Sequence, residues 1–538
     1  MKNPEIFNSY DMVVSLPLKT INDQLTHLTK MGVIHSDLVL SQSENDAGDY
    51  TYSIFNNPND IPLGPDGTPA EACIIGQIIP QVKMAASGTN ITFVINFREG
   101  SAYFWHGHGP AAKLKKYDMS GWKYGINITL DLQAVEKEDL AKNIGVPDLV
   151  KNQLYHFMSN MFTVNSLFMD FESTDLMRFD PVHTSTGEAG DDGMEQMVLF
   201  MNFYLKDLVA KGNPYILGYS LDTNDHTNYD PDQNVPDALR PVGTTFIVYH
   251  DPNYPDLSNL NFVLATKGGH GGITGSPGNF DTNWIQPDEQ CDAKMVYSHS
   301  CLVEKYIVRP VFDQIRDGVY NKIHNDISIS KNQTYDVARS TTSDGLSFLI
   351  SDVSAGDNQY VNNMAVKYSI DGTTARIAFS GYIGVYKGVD RDMGVCTAAA
   401  HAAGHLNWAA TVSLVTVKND KGEPTLQMTV SPVQTSNTYS DSGKNTCADI
   451  FEWIGKIIGT ILDALTLFLD GNFFSNLFDD LLNLHIPGIG NFTDCLGNLT
   501  NSVSTVLVLP AGQVFFFKTP GIDNEGNLSM QLTYKAEN

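Results

Sequence analysis

The chain has 538 residues, of which 42% are hydrophobic and only 18% are charged, so it is long enough for two or three domains with sizeable cores. Its 61 acidic and 34 basic residues leave a formal net charge of −27. Because binding to a phosphate backbone draws on Lys and Arg, this balance argues against nucleic acid as a partner. It also opposes attraction of the whole molecule to an anionic membrane, although a local basic patch can override that effect.

The N-terminal residues predict a helix and no export signal. Met1–Ser15 lacks the apolar core and the small-residue cleavage site of a secretory signal, so we expect a protein that is cytoplasmic as synthesised. Release from the cell by a non-classical route stays open. A helix is predicted near Leu16–Met31, because Ile21, Leu25 and Leu28 recur on one face of it.

The cysteines are too sparse for a disulfide scaffold. The favoured interpretation is that they are reduced, buried thiols. If the protein leaves the cell, Cys291 could pair with Cys301, or Cys447 with Cys495. The six cysteines stand at positions 73, 291, 301, 396, 447 and 495.

Residues 50–135 have the pattern of strands. Gly125–Val135 is the clearest, because apolar and polar side chains alternate along it as in an antiparallel strand with one buried face. Asn90–Glu99 is a second strand, and a turn is predicted to begin at Gly100.

Tyr103–Gly125 is a basic and aromatic segment in an otherwise acidic chain. Aromatic rings suit the headgroup depth of a bilayer, and each Lys near an anionic surface contributes about 1 kcal/mol. The segment therefore indicates a membrane surface as a partner. The alternative is a solvated hairpin connection whose Trp residues pack locally. The predicted membrane-contact residues are Trp105, Lys113, Lys115, Lys116, Trp122 and Lys123.

Two histidine pairs have spacings that metal ligands use. His106 and His108 would share one face of a strand, and His401 and His405 are spaced like two ligands on a helix. The Glu of the H-E-x-x-H motif is missing, because Ala402 follows His401. We therefore expect no metal site and no cofactor.

Other candidate sites have simpler explanations. Gly268–Gly272 could bind an anion through backbone N–H groups, but a turn-rich surface loop is the favoured interpretation. Asp170 and Asp180 could be paired carboxylates, yet such pairs in acidic proteins are usually solvated. Since no nucleotide-binding or hydrolase motif is present, we expect no catalytic residues and no enzymatic activity.

The middle and the C-terminal half continue with helices and strands. Helices are predicted at Met194–Val209 and Leu302–Ile323. Amphipathic strands are predicted at 215–221, 244–250, 261–266, 347–353, 364–370, 374–386, 408–417, 425–433, 503–518 and 528–534.

Asp449–Asp470 is predicted to be an enclosed apolar helix. Its charged residues Glu452, Lys456, Asp463 and Asp470 fall within about 40° of one another on a helical wheel, and the other directions are apolar. The charged stripe interrupts the apolar run below the roughly 18 residues that a bilayer requires. We therefore expect strands to surround this helix and a groove between them. The predicted groove residues are Phe451, Trp453, Ile454, Ile457, Ile458, Ile461, Leu465 and Phe468, together with Ile21, Leu25 and Leu28.

Four stretches resemble the TULIP (tubular lipid-binding) superfamily, and most closely its companion proteins encoded beside clostridial neurotoxins. They are Tyr10–Ser15; Leu167–Phe171 with Arg178–Asp180; Asn261–Gly269 with Asn283–Trp284 and the 302–323 helix; and Val506–Lys518. The resemblance implies a bacterial protein, lipid in a groove, and non-enzymatic partnership with other proteins of a toxin operon.

The expected fold is α+β, with curled antiparallel sheets wrapped around long apolar helices, in two tandem TULIP-like units. Residues 1–165 form the first unit, which C-terminal strands could complete, and residues 166–538 the second, with a boundary placed to within tens of residues.

The leading functional interpretation is a non-enzymatic protein that holds acyl chains in the groove, as a toxin-associated or membrane-acting accessory protein. Its alternative is a protein-binding scaffold of a toxin complex with a filled groove. A metal-dependent hydrolase is the third interpretation.

Overall fold

A computed structural model defines the fold over most of the chain. The described residues are 10–45, 49–84, 90–107, 112–135, 162–170, 179–210, 215–223, 241–269, 283–308, 334–338, 347–353, 362–371, 375–418, 424–431, 434–446, 514–522 and 526–535, with isolated residues and short pairs between them.

A six-stranded antiparallel sheet joins the two ends of the chain. Its strands are β1 (Met12–Pro17), β10 (Pro241–Tyr249), β11 (Asn259–Thr266), β12 (Ala293–Tyr297), β23 (Val514–Ile522) and β24 (Leu528–Lys535). Their order across the sheet is β10-β11-β1-β12-β24-β23, so a strand from the N-terminus lies among strands from residues 241–535.

Both faces of this sheet are covered. Every residue of β1 and β11 is buried. Successive side chains of a strand point to opposite faces, and accordingly Met12 and Val14 belong to the main core, whereas Val13 packs in a smaller cluster with Val263 and Phe280. The hydrophobic run of β1 therefore reflects burial on two sides.

A nine-stranded antiparallel sheet contains most of the N-terminal strands. They are β2 (Asp37–Glu44), β3 (Tyr50–Ile54), β4 (Cys73–Met84), β5 (Asn90–His106), β6 (Lys113–Asp118), β7 (Lys123–Ala134), β8 (Phe162–Asp170), β9 (Ile216–Thr223) and β22 (Leu507–Val508). Their order is β22-β9-β8-β7-β5-β4-β2-β3, and β6 pairs with β5.

Strand β5 continues through the predicted turn at Gly100. The ladder between β4 and β5 shifts register after Gln77, and Gly100 has φ +147°. A Cβ at Gly100 would overlap the carbonyl oxygen of Ile75. The bulged residue is Arg98, and Gly100 lies two residues further on, where the backbones of β4 and β5 approach closely and the strand continues.

Two α-helices pack against the nine-stranded sheet, as their amphipathic patterns predict. They are α1 (Leu18–Lys30) and α2 (Gly190–Ala210). The Gln196 side chain of α2 accepts a hydrogen bond from the Trp105 backbone N–H at 2.9 Å and donates one to the Trp105 carbonyl at 2.8 Å. This pair of bonds holds α2 on β5.

Aromatic rings fill the space between α2 and the sheet. Phe200 of α2 has its ring centroid 5.1 Å from that of Tyr52 and 6.0 Å from that of Phe104. Phe203 stacks on Tyr52 at 5.6 Å, and Trp122 lies 6.1 Å from Phe104. This part of the interior is therefore packed with side chains, as in an ordinary protein core.

A seven-stranded antiparallel sheet is built from later residues. Its strands are β13 (Thr334–Ala338), β14 (Ser347–Val353), β15 (Asn362–Asp371), β16 (Arg376–Asp392), β17 (Thr397–Lys418), β18 (Pro424–Val430) and β19 (Gln434–Lys444). Their order is β13-β14-β15-β16-β17-β18, with β19 pairing with β17. A short pair of strands, β20 (His485–Ile486) and β21 (Gly490–Asn491), is separate.

The helical interpretation of the spacing between His401 and His405 is wrong. Both residues lie on β17, which pairs with β16 on one side and with β18 and β19 on the other. At about 3.3 Å per residue, positions four apart on a strand are separated by about 13 Å, too far to share one metal ion.

Another helix differs in type from its prediction. Residues His299–Val308 form a π-helix, and the remainder of the predicted 302–323 helix lies outside the described residues. Within the described part of the chain, no helix combines the length and apolar character of a membrane crossing.

The expected fold class is confirmed in part. The molecule is α+β with curled antiparallel sheets. The described residues do not show long apolar helices enclosed by sheets, because the helices lie against sheets. They also do not show two tandem units, because β1 belongs to one sheet with strands of the C-terminal half. Asp449–Asp470 lies outside the described residues. The division at residue 165 stays a prediction.

The four described cysteines divide into two groups, and the Cys447–Cys495 pair lies outside the described residues. Cys73, Cys291 and Cys301 are thiols, as expected, and do not form the 291–301 disulfide. Burial raises the pKa of the Cys73 thiol to about 12, so it stays protonated and unreactive near neutral pH. Cys396, however, is disulfide-bonded, which corrects the expectation for that residue.

Candidate functional site

The groove residues predicted on α1 lie in the main core. Ile21, Leu25 and Leu28 are all buried and belong to the cluster that connects α1 to the sheets. The other eight predicted groove residues lie outside the described part of the chain: Phe451, Trp453, Ile454, Ile457, Ile458, Ile461, Leu465 and Phe468.

The predicted membrane-contact residues are divided between surface and core. The exposed members are lysines on β6 and at the start of β7, namely Lys113, Lys115, Lys116 and Lys123. Trp105 is partly buried against the core. Trp122 is only 3% exposed and packs on Phe104, so its ring does not lie at the surface. The membrane-contact prediction therefore rests on the lysines alone.

A pocket of about 500 Å³ opens next to the first turn of α1, between the six-stranded and the nine-stranded sheets. This volume is in the range of small-molecule sites in proteins. We call it the inter-sheet pocket. Its main lining residues are Leu18, Asn22, Val82, Lys83, Met84, Asp180, Val182, His183 and His250.

The apolar wall of the inter-sheet pocket comes from α1 and the end of β4. Leu18, Val82 and Met84 are buried hydrophobic residues that line it. Asn22 fixes the two elements together, because its side chain accepts a hydrogen bond from Val82 N at 2.8 Å and donates one to the Val82 carbonyl at 3.1 Å. Helix and strand therefore hold this wall in one geometry.

The polar wall is organised by Asp180. One carboxylate oxygen accepts a hydrogen bond from Val182 N at 2.9 Å, and the other lies 2.8 Å from His183 Nδ1. Burial alone would raise the pKa of Asp180, but the hydrogen bonds from His183 and from the Val182 N–H outweigh it and lower the pKa below its usual range. The carboxylate therefore stays ionised and orients the His183 ring.

His250 contributes a second imidazole to the inter-sheet pocket from the end of β10. Its Nδ1 atom is buried and has no hydrogen-bond partner among the described residues. Lys83, from β4, also lines the pocket. The polar wall thus offers hydrogen-bonding groups for a ligand headgroup next to an apolar wall.

Asp180, considered from its sequence position as a possible partner of Asp170, caps the short 3₁₀ turn Pro181–His183. An Asp followed by Pro is a recognisable signal for such a turn. His250 carries no comparable signal, because only the meeting of two sheets brings it to the pocket.

The described part of the glycine-rich loop is occupied by the protein itself. A Cβ at Gly269 would overlap the carboxylate of Asp11, which is buried and accepts a hydrogen bond from Thr266 N at 2.8 Å. An internal carboxylate thus lies where an external anion was considered. The rest of this loop, His270 to Gly272, lies outside the described residues.

The described residues contain no cluster of metal-ligating side chains. Over the residues that are described, no group of three His, Cys, Asp or Glu side chains is arranged to hold a metal ion. His106 lies 3.8 Å from Asp192, and its predicted partner His108 is outside the described residues.

Comparison with known proteins yields distant structural neighbours. No protein-family model matches the chain, and no curated protein sequence matches it. P47 from Clostridium botulinum A2 is similar in structure, with a TM-score of 0.45, 9% identity, and coverage of 98% of each chain. A lipopolysaccharide binding protein matches with a TM-score of 0.29 and 9% identity, and the match covers 98% of this chain and 100% of that protein. Both structural likenesses are distant, and no family membership is assigned.

Proposed function

We propose that this chain is a non-enzymatic binding protein for an amphipathic lipid. In this proposal the acyl part lies along Leu18, Val82 and Met84, between α1 and the nine-stranded sheet. The headgroup lies at His183, His250 and Lys83. The supporting observation is that one pocket combines a buried apolar wall with an ordered polar wall.

The energetics of such binding follow from burial. Each methylene that leaves water contributes about 0.8 kcal/mol, so about ten buried methylenes contribute about 8 kcal/mol before the costs of association are subtracted. Hydrogen bonds from the polar wall would then fix the orientation of the ligand rather than supply most of the affinity.

Val182 allows a sharp test because it lines the pocket and is 84% exposed, so a larger side chain can be placed there without repacking the core. We expect Val182→Trp to weaken the binding of a fluorescent long-chain fatty acid by about tenfold or more, since the indole occupies part of the pocket. The measurement is a fluorescence titration of the full chain after gentle delipidation, with native mass spectrometry of the undelipidated protein beside it.

Val395→Trp is the matched control, because Val395 is 91% exposed and is not part of the pocket lining. It should bind the fatty acid like the unmodified chain. Equal affinities for the two tryptophan variants, or no binding of fatty acid and lysophospholipid together with a lipid-free native mass, would refute the proposal.

A second candidate function is a protein-binding scaffold of a toxin complex. The observation that favours it is the aromatic packing of Phe200 with Tyr52 and Phe104, which fills the space between α2 and the sheet. This candidate predicts a lipid-free native mass and stable co-elution with the products of neighbouring genes. Co-expression followed by size-exclusion chromatography with light scattering tests it.

A further inference from the structure

A second pocket, of about 560 Å³, lies on the other side of the loop that follows β10. It is formed by Tyr249, residues 251–254, residues 283–287, and residues of β12 and β24. We call it the aromatic pocket. Three aromatic residues, Tyr249, Tyr254 and Trp284, line it. Tyr254 is 50% exposed, so its ring is accessible at the pocket.

A hydrogen-bond network holds the two loops of this pocket together. The buried Asp251 accepts bonds from Asn253 N at 3.0 Å and Tyr254 N at 2.9 Å through one oxygen, and from Asn283 Nδ2 at 3.0 Å through the other. Asn283 also accepts a bond from Asn259 Nδ2 at 2.6 Å. The loop that presents Tyr254 is thereby ordered before any ligand binds.

A second set of polar groups borders the pocket. Lys294 Nζ lies 2.6 Å from a carboxylate oxygen of Glu289, and both side chains are more than four-fifths buried. Gln531 donates to the same oxygen at 3.2 Å, and Gln286 N donates to the other oxygen at 2.8 Å. Glu289 thus accepts a hydrogen bond from Lys294 and balances the charge of this pocket-lining residue.

We propose that the aromatic pocket binds a neutral saccharide. The faces of aromatic rings suit the apolar C–H faces of a sugar ring, and nearby amide, hydroxyl and ammonium groups suit its hydroxyls. Because Glu289 neutralises Lys294, the pocket favours an uncharged ligand over a sialylated or sulfated one. The proposed ligand is therefore an uncharged glycan, and this site is independent of the lipid proposed for the inter-sheet pocket.

The test is a binding assay of the full chain against immobilised free oligosaccharides, in one neutral and one sialylated panel, followed by calorimetric titration with the strongest neutral binder. Tyr254→Ala should weaken binding by about tenfold or more, as is typical when an aromatic anchor is truncated. Because Tyr254 is half exposed, this variant is expected to fold normally, which a thermal melt checks.

Tyr50→Ala is the matched control, since Tyr50 is 57% exposed and lies on β3, away from the pocket. It should change the affinity for the saccharide less than twofold. The proposal is overturned if no neutral glycan binds above background, if only sialylated glycans bind, or if Tyr254→Ala and Tyr50→Ala have equal effects.

Discussion

Asp180 and Asp251 are buried carboxylates whose pKa values lie below the ordinary 3.8, because hydrogen bonds to the charged form outweigh the effect of burial. The unfolded chain binds these protons more readily than the folded one. Their contribution to stability is therefore fully present above pH 3.8 and is lost as the pH falls through the lowered values. Acid should loosen the walls of both pockets.

Replacement of Asp251 tests this linkage. Asp251→Asn should lower the free energy of unfolding by about 1–3 kcal/mol at pH 7, because three hydrogen bonds lose their charged acceptor. The difference from the unmodified chain should shrink as the pH falls below 3.8. Urea unfolding at a series of pH values measures it.

Asp256→Asn is the control for this change, because Asp256 is an exposed carboxylate in the same loop. It should alter stability by less than about 0.5 kcal/mol at any pH. If Asp251→Asn behaves like Asp256→Asn, the network does not hold the loop.

At the scale of elements, β6 is a strand whose exposed lysines have two alternative roles. In the described part of the chain it pairs only with β5, so its other edge is unpaired. Lys113, Lys115 and Lys116 are exposed on this strand, and the Lys115 ammonium lies 4.7 Å from the centre of the Tyr117 ring. Lysines on an open edge prevent pairing between molecules, and they could equally meet an anionic membrane.

We expect that replacing these three lysines by Gln raises self-association, because the edge loses its charge repulsion. Light scattering after size-exclusion chromatography measures the mass. Replacing Lys19, Lys30 and Lys206 by Gln changes the net charge equally on exposed helix positions, and should leave the mass unchanged. A β6 variant that stays monomeric but no longer binds anionic liposomes would favour the membrane-contact hypothesis instead.

At the scale of the whole molecule, the main feature is that strands from the N-terminal and the C-terminal parts of the chain belong to one sheet. Leu532 on β24 is fully buried and lies opposite Ala293 on one side and Phe517 on the other. The last strand is therefore part of the same core as β1, although several hundred residues separate them along the chain.

Leu532→Ala should lower the free energy of unfolding by about 2–5 kcal/mol in a single cooperative transition, because it leaves a cavity in this shared core. Chemical denaturation followed by circular dichroism measures it. Leu63→Ala, at a leucine that is 62% exposed, should have little effect. A small effect at Leu532 would mean that the C-terminal strand frays independently.

Individual helices and strands with a clear periodic pattern could be predicted from the sequence alone. Alternation predicted the strand observed as β7, and the spacing of Ile21, Leu25 and Leu28 predicted α1. The spacing of His401 and His405 was misleading, because a separation of four residues fits two ligands on a helix. Strand pairing on both sides makes this segment part of β17, because pairing with neighbours overrides weak intrinsic preferences.

The sequence by itself therefore determined the class of the fold, the acidic character and most of the strands, since these depend on composition and on short-range periodicity. Only the tertiary structure decided where the two pockets lie. The inter-sheet pocket joins residues near 18–22, 82–84, 180–183 and 250–258, and the aromatic pocket joins residues near 249–254, 283–287, 294 and 529. No spacing along the chain encodes such sets, because they come together only when separate sheets pack around a common core.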